Sequence, residues 1–273
     1  MIRRPKLLLL PGAVVLVLAF LIPSLAMLFS PPNTSTGEVF AKLGAMLTDP
    51  YDLTIIARTL LFGLIVTAIC ILLGFPIAYL LARSVSRFAG VWLALAIFPL
   101  LLSTVVRTFG WLVILGSNGA IGQIIVALGL ADRGPQLLYT PLAVVLGMTQ
   151  LFLPLAIISC YSAVAQVDNN LDDAARGLGA SRTRTLWTIV IPMSLPGIVV
   201  AATLVFAGAT TAYTTPYLLG GTGQRVLATQ LFTYASITVN WAAASATALI
   251  MTVLVFLVSG LSSALASRKG SIS

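Results

Sequence analysis

A chain of 273 residues in which 59% are hydrophobic and only 8% charged, with a mean hydropathy of +1.07, is not a soluble domain, since soluble domains carry about 25% charged residues. The composition predicts an all-α, polytopic membrane protein. The net charge of +8 calls for no nucleic-acid partner, because cations at the ends of membrane spans are drawn to anionic lipid, and the absence of histidine excludes imidazole metal ligands and histidine bases.

A bilayer core of ~30 Å needs about 20 apolar residues per helix. Six stretches qualify: 7–29, 59–82, 91–115, 140–165, 193–214 and 242–266. The first follows Arg3, Arg4 and Lys6 and contains Ser24-Leu25-Ala26, which imitates a secretory signal with a small-residue cleavage site. Its uncharged run is longer than a signal core, so it is expected to be an uncleaved first helix, followed by an external loop. Cys70 and Cys160 fall within apolar spans and are expected to be packed thiols rather than disulfide or metal partners. Pro76, Pro99, Pro154 and Pro196 mark kinks, which neighbouring helices tolerate by satisfying the freed carbonyls; the kinks serve either packing or gating. Between the third and fourth spans, Asn118, Gly119, Gly129, Gly134 and Pro135 make an external loop holding a short helix near 121–130. The segment 215–241 is long enough for a re-entrant or interfacial helix.

Lysine and arginine set the orientation, because cytoplasmic flanks carry their excess. With the N-terminus inside, Arg3, Arg4, Lys6, Arg83, Arg87, Arg176, Arg182, Arg184, Arg268 and Lys269 are cytoplasmic, against Lys42, Arg58, Arg133 and Arg225 outside. Both termini and the loop 168–192 then face the cytoplasm.

Polar side chains inside spans are penalised by lipid and mark a pathway. Ser103, Thr104, Arg107 and Thr108 in the third span, Thr149 and Gln150 in the fourth, and Thr210, Thr211, Tyr213 and Thr214 in the fifth lie at one outer level and are expected to line it. For each threonine the alternative is a hydroxyl bonded to its own helix carbonyl. Arg107 is expected to face water or a partner, or to snorkel to the outer interface. No Asp or Glu lies inside an expected span. That argues against a secondary solute carrier, which needs intramembrane ionisable groups, and with no histidine it leaves little for an intramembrane enzyme.

The loop 168–192 reads as helix, glycine, helix. Asn170 is expected to cap a short helix with Asp172 and Asp173 in its first turn, where carboxylates complement the helix dipole. Ala174 and Ala175 keep one face low for close packing, Gly177 and Gly179 end the helix, and Arg182 and Arg184 rim the apolar anchors Trp187 and Ile189 before Pro192 opens the next span. A charged rim around apolar anchors suits a protein contact.

The spacing Asp173-Ala174-Ala175, three residues, Gly179, nine residues, then Ile189-Val190-Ile191-Pro192 resembles the cytoplasmic coupling loop by which permease subunits of ATP-driven importers grip their ATPase. The family pattern has Glu where this chain has Asp173 and Leu where it has Ile191. Phe75-Pro76-Ile77-Ala78-Tyr79-Leu80, Arg107-Thr108-Phe109-Gly110-Trp111, Leu178-Gly179-Ala180-Ser181 and Pro216-Tyr217-Leu218-Leu219-Gly220-Gly221 are similar to permeases of spermidine/putrescine-type importers, a branch that also moves opines and amino-acid-like compounds.

The resemblance implies a type I ABC importer permease (MetI-like) fold, with residues 1–52 as first transmembrane helix and external loop and 53–273 as a core of five transmembrane helices. It implies a multi-pass protein of the bacterial inner membrane that passes a small solute delivered by an extracytoplasmic substrate-binding protein. Its partners would be an ATPase dimer and a second permease, expected to be a different chain. Asp172, Asp173, Ala174, Ala175, Gly179, Ala180, Ser181, Arg182, Ile189 and Pro192 would meet the ATPase. With no Gly-x-x-x-x-Gly-Lys-Ser/Thr loop in the sequence, no catalytic residue, metal or cofactor is expected in this chain; ATP and Mg would sit on the partner ATPase. Closure of the ATPases would swing the loop and tilt the attached spans.

Overall fold

The computed structural model describes residues 10–29, 31–84 and 87–270. Arg3, Arg4, Lys6 and the first residues of the expected first span lie outside them. Among the described residues the chain is helical throughout, with no strand. Helix α1 covers 10–29, interrupted by a π turn at Val17–Leu21.

Helix α2, Thr36–Met46, stands where an external loop was expected. Its signal is in the sequence: Ser35 accepts a hydrogen bond from the Glu38 amide at 3.3 Å, and serine followed three residues later by glutamate is a helix-start signature. Helix α3, Pro50–Ala82, begins nine residues before the expected span. Asp49 caps it by accepting from the Tyr51 amide at 2.8 Å, and Pro50 fills the first position, where a missing N–H costs nothing. Its 33 residues reach about 50 Å at ~1.5 Å per residue, more than a ~30 Å hydrocarbon core, so the first turns project. Asp52 lies there, buried in the first turn. The helix is thus longer than the expected span 59–82, and its one carboxylate lies outside that span.

The expected third span is two helices. Helix α4, Ala89–Ile97, tightens into a 3-10 turn at Phe98–Leu101 that contains Pro99, and the chain turns extended at Leu102 before α5, Thr104–Leu115. The sequence marked Pro99 as a kink; the backbone breaks instead, and Arg107 Nη2 donates to the Pro99 carbonyl and, at 2.9 Å, to that of Leu102. A charged donor thus satisfies the Leu102 carbonyl at the break and adds to the Leu102 amide, which donates to the Pro99 carbonyl at 3.3 Å.

Helix α6, Ala120–Ala127, lies within the region expected for a short helix. Helix α7 is Pro141–Ala165, α8 Asn169–Gly177, and α9 Arg182–Thr211, with a π turn at Leu186–Val190. The segment expected to be re-entrant or interfacial folds as α10, Thr214–Gly220, and α11, Leu227–Phe232, which runs into a π turn at Thr233–Ile237. Helix α12 is Trp241–Gly270. Against six expected spans, five stretches among the described residues are long and apolar enough to cross a membrane: Pro50–Ala82, Thr104–Ala127, Pro141–Ala165, Arg182–Thr211 and Trp241–Ser262. The first expected span is present as the shorter apolar helix Val14–Phe29, and α4 with its 3-10 turn is another short one.

Helices α3, α7 and α9 pack mutually at the centre, α12 packs on α9, and α2 on α12. Lipid tails are as apolar as leucine, so helix association rests on close packing at small residues. A Cβ on Gly197 of α9 would lie 2.3 Å from Ala163 Cβ of α7, and one on Gly74 of α3 3.2 Å from Ala156 Cβ. Phe75 and Ala78 of α3 join Cys160 and Val164 of α7 and Val190 and Ala201 of α9 in an apolar cluster. Cys70 and Cys160 are free and buried, as the sequence predicts. Outward faces stay greasy: Leu72 and Phe256 are each 73% exposed.

Candidate functional site

Helix α8 connects α7 to α9 and is polar on most sides. Its cap is Asp168 rather than Asn170: Asp168 has extended backbone angles (φ −60°, ψ 128°) and its Oδ1 accepts from the Asn170 amide at 2.9 Å. Asn170 is already inside the helix, so it cannot cap. Asp172 lies in the first turn, and Asp173 opens the second. Gly177 ends the helix and Gly179 takes φ +85°. The Gly179 amide then donates to the Arg176 carbonyl at 2.9 Å and the Ala180 amide to that of Ala175 at 3.0 Å. These paired bonds are the closure a left-handed residue permits after a helix. Ser181 restarts the chain as the cap of α9, accepting from the Arg184 amide at 3.2 Å.

The expected coupling residues divide by exposure. Asp173, Ala174, Gly179, Ser181, Arg182 and Pro192 are exposed, while Asp172, Ala175, Ala180 and Ile189 are half-buried. Asp172 turns inward: its Oδ2 stands 3.0 Å from Nε of Arg83 at the end of α3. Two residues escaped sequence reasoning. Leu178, quoted from sequence only within the resemblance and not as a contact, is 91% exposed between two glycines and is the most prominent apolar side chain of the loop, with Trp187, nine residues on, at 66%; a leucine immediately before the turn glycine of a polar helix was the available signal. Arg83 was read only as a cytoplasmic charge, and nothing in the sequence links positions 83 and 172.

The expected pathway residues are only partly gathered. Thr108 of α5 and Thr215 of α10 bring their hydroxyls to 3.3 Å, and Trp111 Nε1 donates to Gln150 Oε1 across α5 and α7 at 3.3 Å. Thr149 and Thr210 are buried, with hydroxyls that have no hydrogen-bond partner among the described residues. Thr211 instead donates to its own helix carbonyl, Ala207, at 2.8 Å, the alternative open to every threonine. Thr104 and Thr214 are half-buried, and Ser103 is exposed at the start of α5. Tyr213 stacks on Tyr217 at 5.1 Å between centroids and tilts against Phe232 at 4.5 Å. Arg107 neither snorkels nor faces water: it is buried, bound to the two carbonyls of the α4–α5 break. Of these residues only Thr211 lines either of two surface clefts. One, of about 740 Å³, is bordered by Ser117, Asn118, Asp132 and Arg133, and another, of about 320 Å³, by Thr211, Leu231, Met251 and Phe256.

Residues 74–271 match the family of binding-protein-dependent transport system inner membrane components. The chain is 31% identical over 212 residues to the spermidine/putrescine transport system permease protein PotB of Salmonella typhimurium, covering 76% of this chain and 74% of that one. It is 28% identical over 249 residues to the PotB of Haemophilus influenzae, covering 91% and 85%. In fold it is similar to a bacterial ABC transporter involved in the import of the acidic polysaccharide alginate, with a TM-score of 0.74 at 16% identity over 96% of this chain and 94% of that one. The helical core, the loop spacing and the matched length together make this chain a member of the family of inner membrane components of binding-protein-dependent transport systems.

Proposed function

We propose that this chain forms part of the membrane pathway of an ATP-driven importer and passes a polyamine-like small cation, with opines and amino-acid-like solutes as the alternative cargo. One observation carries the coupling: the loop 168–192, built of the exposed polar helix α8 and the start of α9, holds the importer spacing and leaves Leu178, just past α8, and Trp187, in α9, exposed. Exposed apolar anchors in a segment that also exposes Asp173, Arg176 and Arg182 suit a cleft on an ATPase. ATP hydrolysis belongs to that partner, which would form a dimer under this chain and a second permease. A binding protein delivers cargo to the opposite face of an inner membrane, with both termini on the ATPase side.

Likeness to PotB supports the cargo. The rings of Tyr213 and Tyr217 offer faces that attract an ammonium group, and the hydroxyls of Thr108, Thr149, Thr210 and Thr215 offer acceptors along α5, α7, α9 and α10. None of these groups holds a cation as tightly as a carboxylate would, so selection rests with the binding protein and release is easy. The test is spermidine uptake by proteoliposomes containing this chain, its ATPase, the second permease and the binding protein. Uptake should stop when the phosphate-loop lysine of the ATPase is replaced. Uptake that survives would identify a carrier running without ATP.

A further inference from the structure

We propose that Arg83 is a positioning residue that fastens α8 to α3, so that three spans, not only the two covalently joined to the loop, move with the ATPase. The inference rests on the reading of α8 as the ATPase contact and adds a route for the work it receives.

Arg83 is the residue on which α3 ends (φ −97°, ψ 3°). Its Nε stands 3.0 Å from Asp172 Oδ2, its Nη1 donates to the Val167 carbonyl at 3.0 Å, and the same Nη1 reaches Asn169 Oδ1. One guanidinium thus meets three oxygens spanning the end of α7 and the first turn of α8: Nη1 donates to two of them, and Nε faces Asp172 as an ion pair. The planar, delocalised guanidinium lets one arginine hold both kinds of contact at once, whereas lysine would supply a single point charge. Both charges favour their positions: the cation closes the carbonyl end of α3 and the carboxylate sits in the first turn of α8. Side chains of Arg83 and Asp172 are only 14% and 17% exposed, so water screens the pair less than a surface pair.

The backbone of α8 packs on the start of α9. Directly beyond the clamp, Phe75 and Ala78 of α3 pack with Cys160, Val164 and Val190, so a displacement delivered at Arg83 enters a close-packed layer that shifts as a body. Asp172 faces Arg83 while Asp173, Leu178 and Arg182 face solvent. The inner side of α8 therefore holds α3, and the outer side is left for the partner.

Proteoliposomes containing the full complex give the test, read as cargo transported per ATP hydrolysed together with the ATPase copurified on this chain. Arg83→Gln should keep the ATPase bound and hydrolysing while transport per ATP falls about tenfold. Arg83→Lys should fall between the two, and the exchange Arg83→Asp with Asp172→Arg should restore much of the loss. Transport per ATP unchanged in Arg83→Gln overturns the proposal, as does a loss of bound ATPase in step with uptake in both Arg83→Gln and Arg83→Lys, which marks a merely structural role. Leu178→Asp combined with Trp187→Asp separates the two readings: if the double variant leaves the ATPase bound, the loop is not the contact, whereas if it strips the ATPase while Arg83→Gln transports normally, only the clamp fails.

Discussion

Gly179 holds φ +85°, a backbone state that side chains resist, and nothing lies within 4 Å of where its Cβ would be. The cost of a substitution there is conformational rather than steric. Gly179→Val should weaken the closure of α8 by roughly 1–2 kcal/mol and release the ATPase, while the helical circular dichroism of the spans stays unchanged; copurification of the ATPase measures it. Leu178→Asp leaves the fold intact, because a 91% exposed side chain holds nothing inside this chain. It should lower ATPase affinity about tenfold or more if the leucine is an anchor, and equal capture by wild type and variant would dismiss that role. Asp168→Ala removes the cap of α8, at a cost of about 1 kcal/mol, and should raise amide exchange in 169–177 first. The glycine was legible because its spacing from Asp173 is a linear property of the chain. Asp168 was passed over for Asn170 because both residue types cap equally well, and only the backbone angles choose between them.

Helices declared themselves through long apolar runs, but their ends did not. Asp49-Pro50 starts α3 well before hydropathy rises, since capping chemistry and not greasiness fixes a helix start. Between α4 and α5 the reverse happens: hydropathy continues across a real break, which Pro99 and the donors of Arg107 make tolerable. Contacts between helices were invisible in the same way, because an apolar glycine position reads alike whether it meets lipid or a neighbour. Gly197→Leu in α9 would drive a side chain into Ala163 of α7, whose Cβ and Cα are both within 3.2 Å of the new Cβ. Backbone lies behind the contact, so the helices must part, at about 1–3 kcal/mol. A clear drop in the melting temperature of the detergent-solubilised protein is expected. Gly260→Ala in α12, with no neighbour within 4 Å, should melt as wild type does.

Orientation of the assembled protein is open to a direct chemical check. A cysteine placed at Leu178 should react with an impermeant maleimide only from the ATPase side of the membrane, with little background from Cys70 and Cys160, both buried. Labelling from the opposite side would reverse the arginine and lysine count on which the topology rests. Membrane residence, helical class and the coupling spacing all follow from properties that composition and order along the chain express: hydropathy, charge placement and the distances between Asp173, Gly179 and Ile189. Which polar groups meet is another matter. Thr108 finds Thr215, Trp111 finds Gln150 and Arg83 finds Asp172 across 107, 39 and 89 positions, and Arg107 turns from a pathway candidate into the seal of a broken helix. Such partnerships depend on how helices cross and rotate against one another, which small-residue packing sets in three dimensions and no periodicity along a uniformly apolar chain encodes.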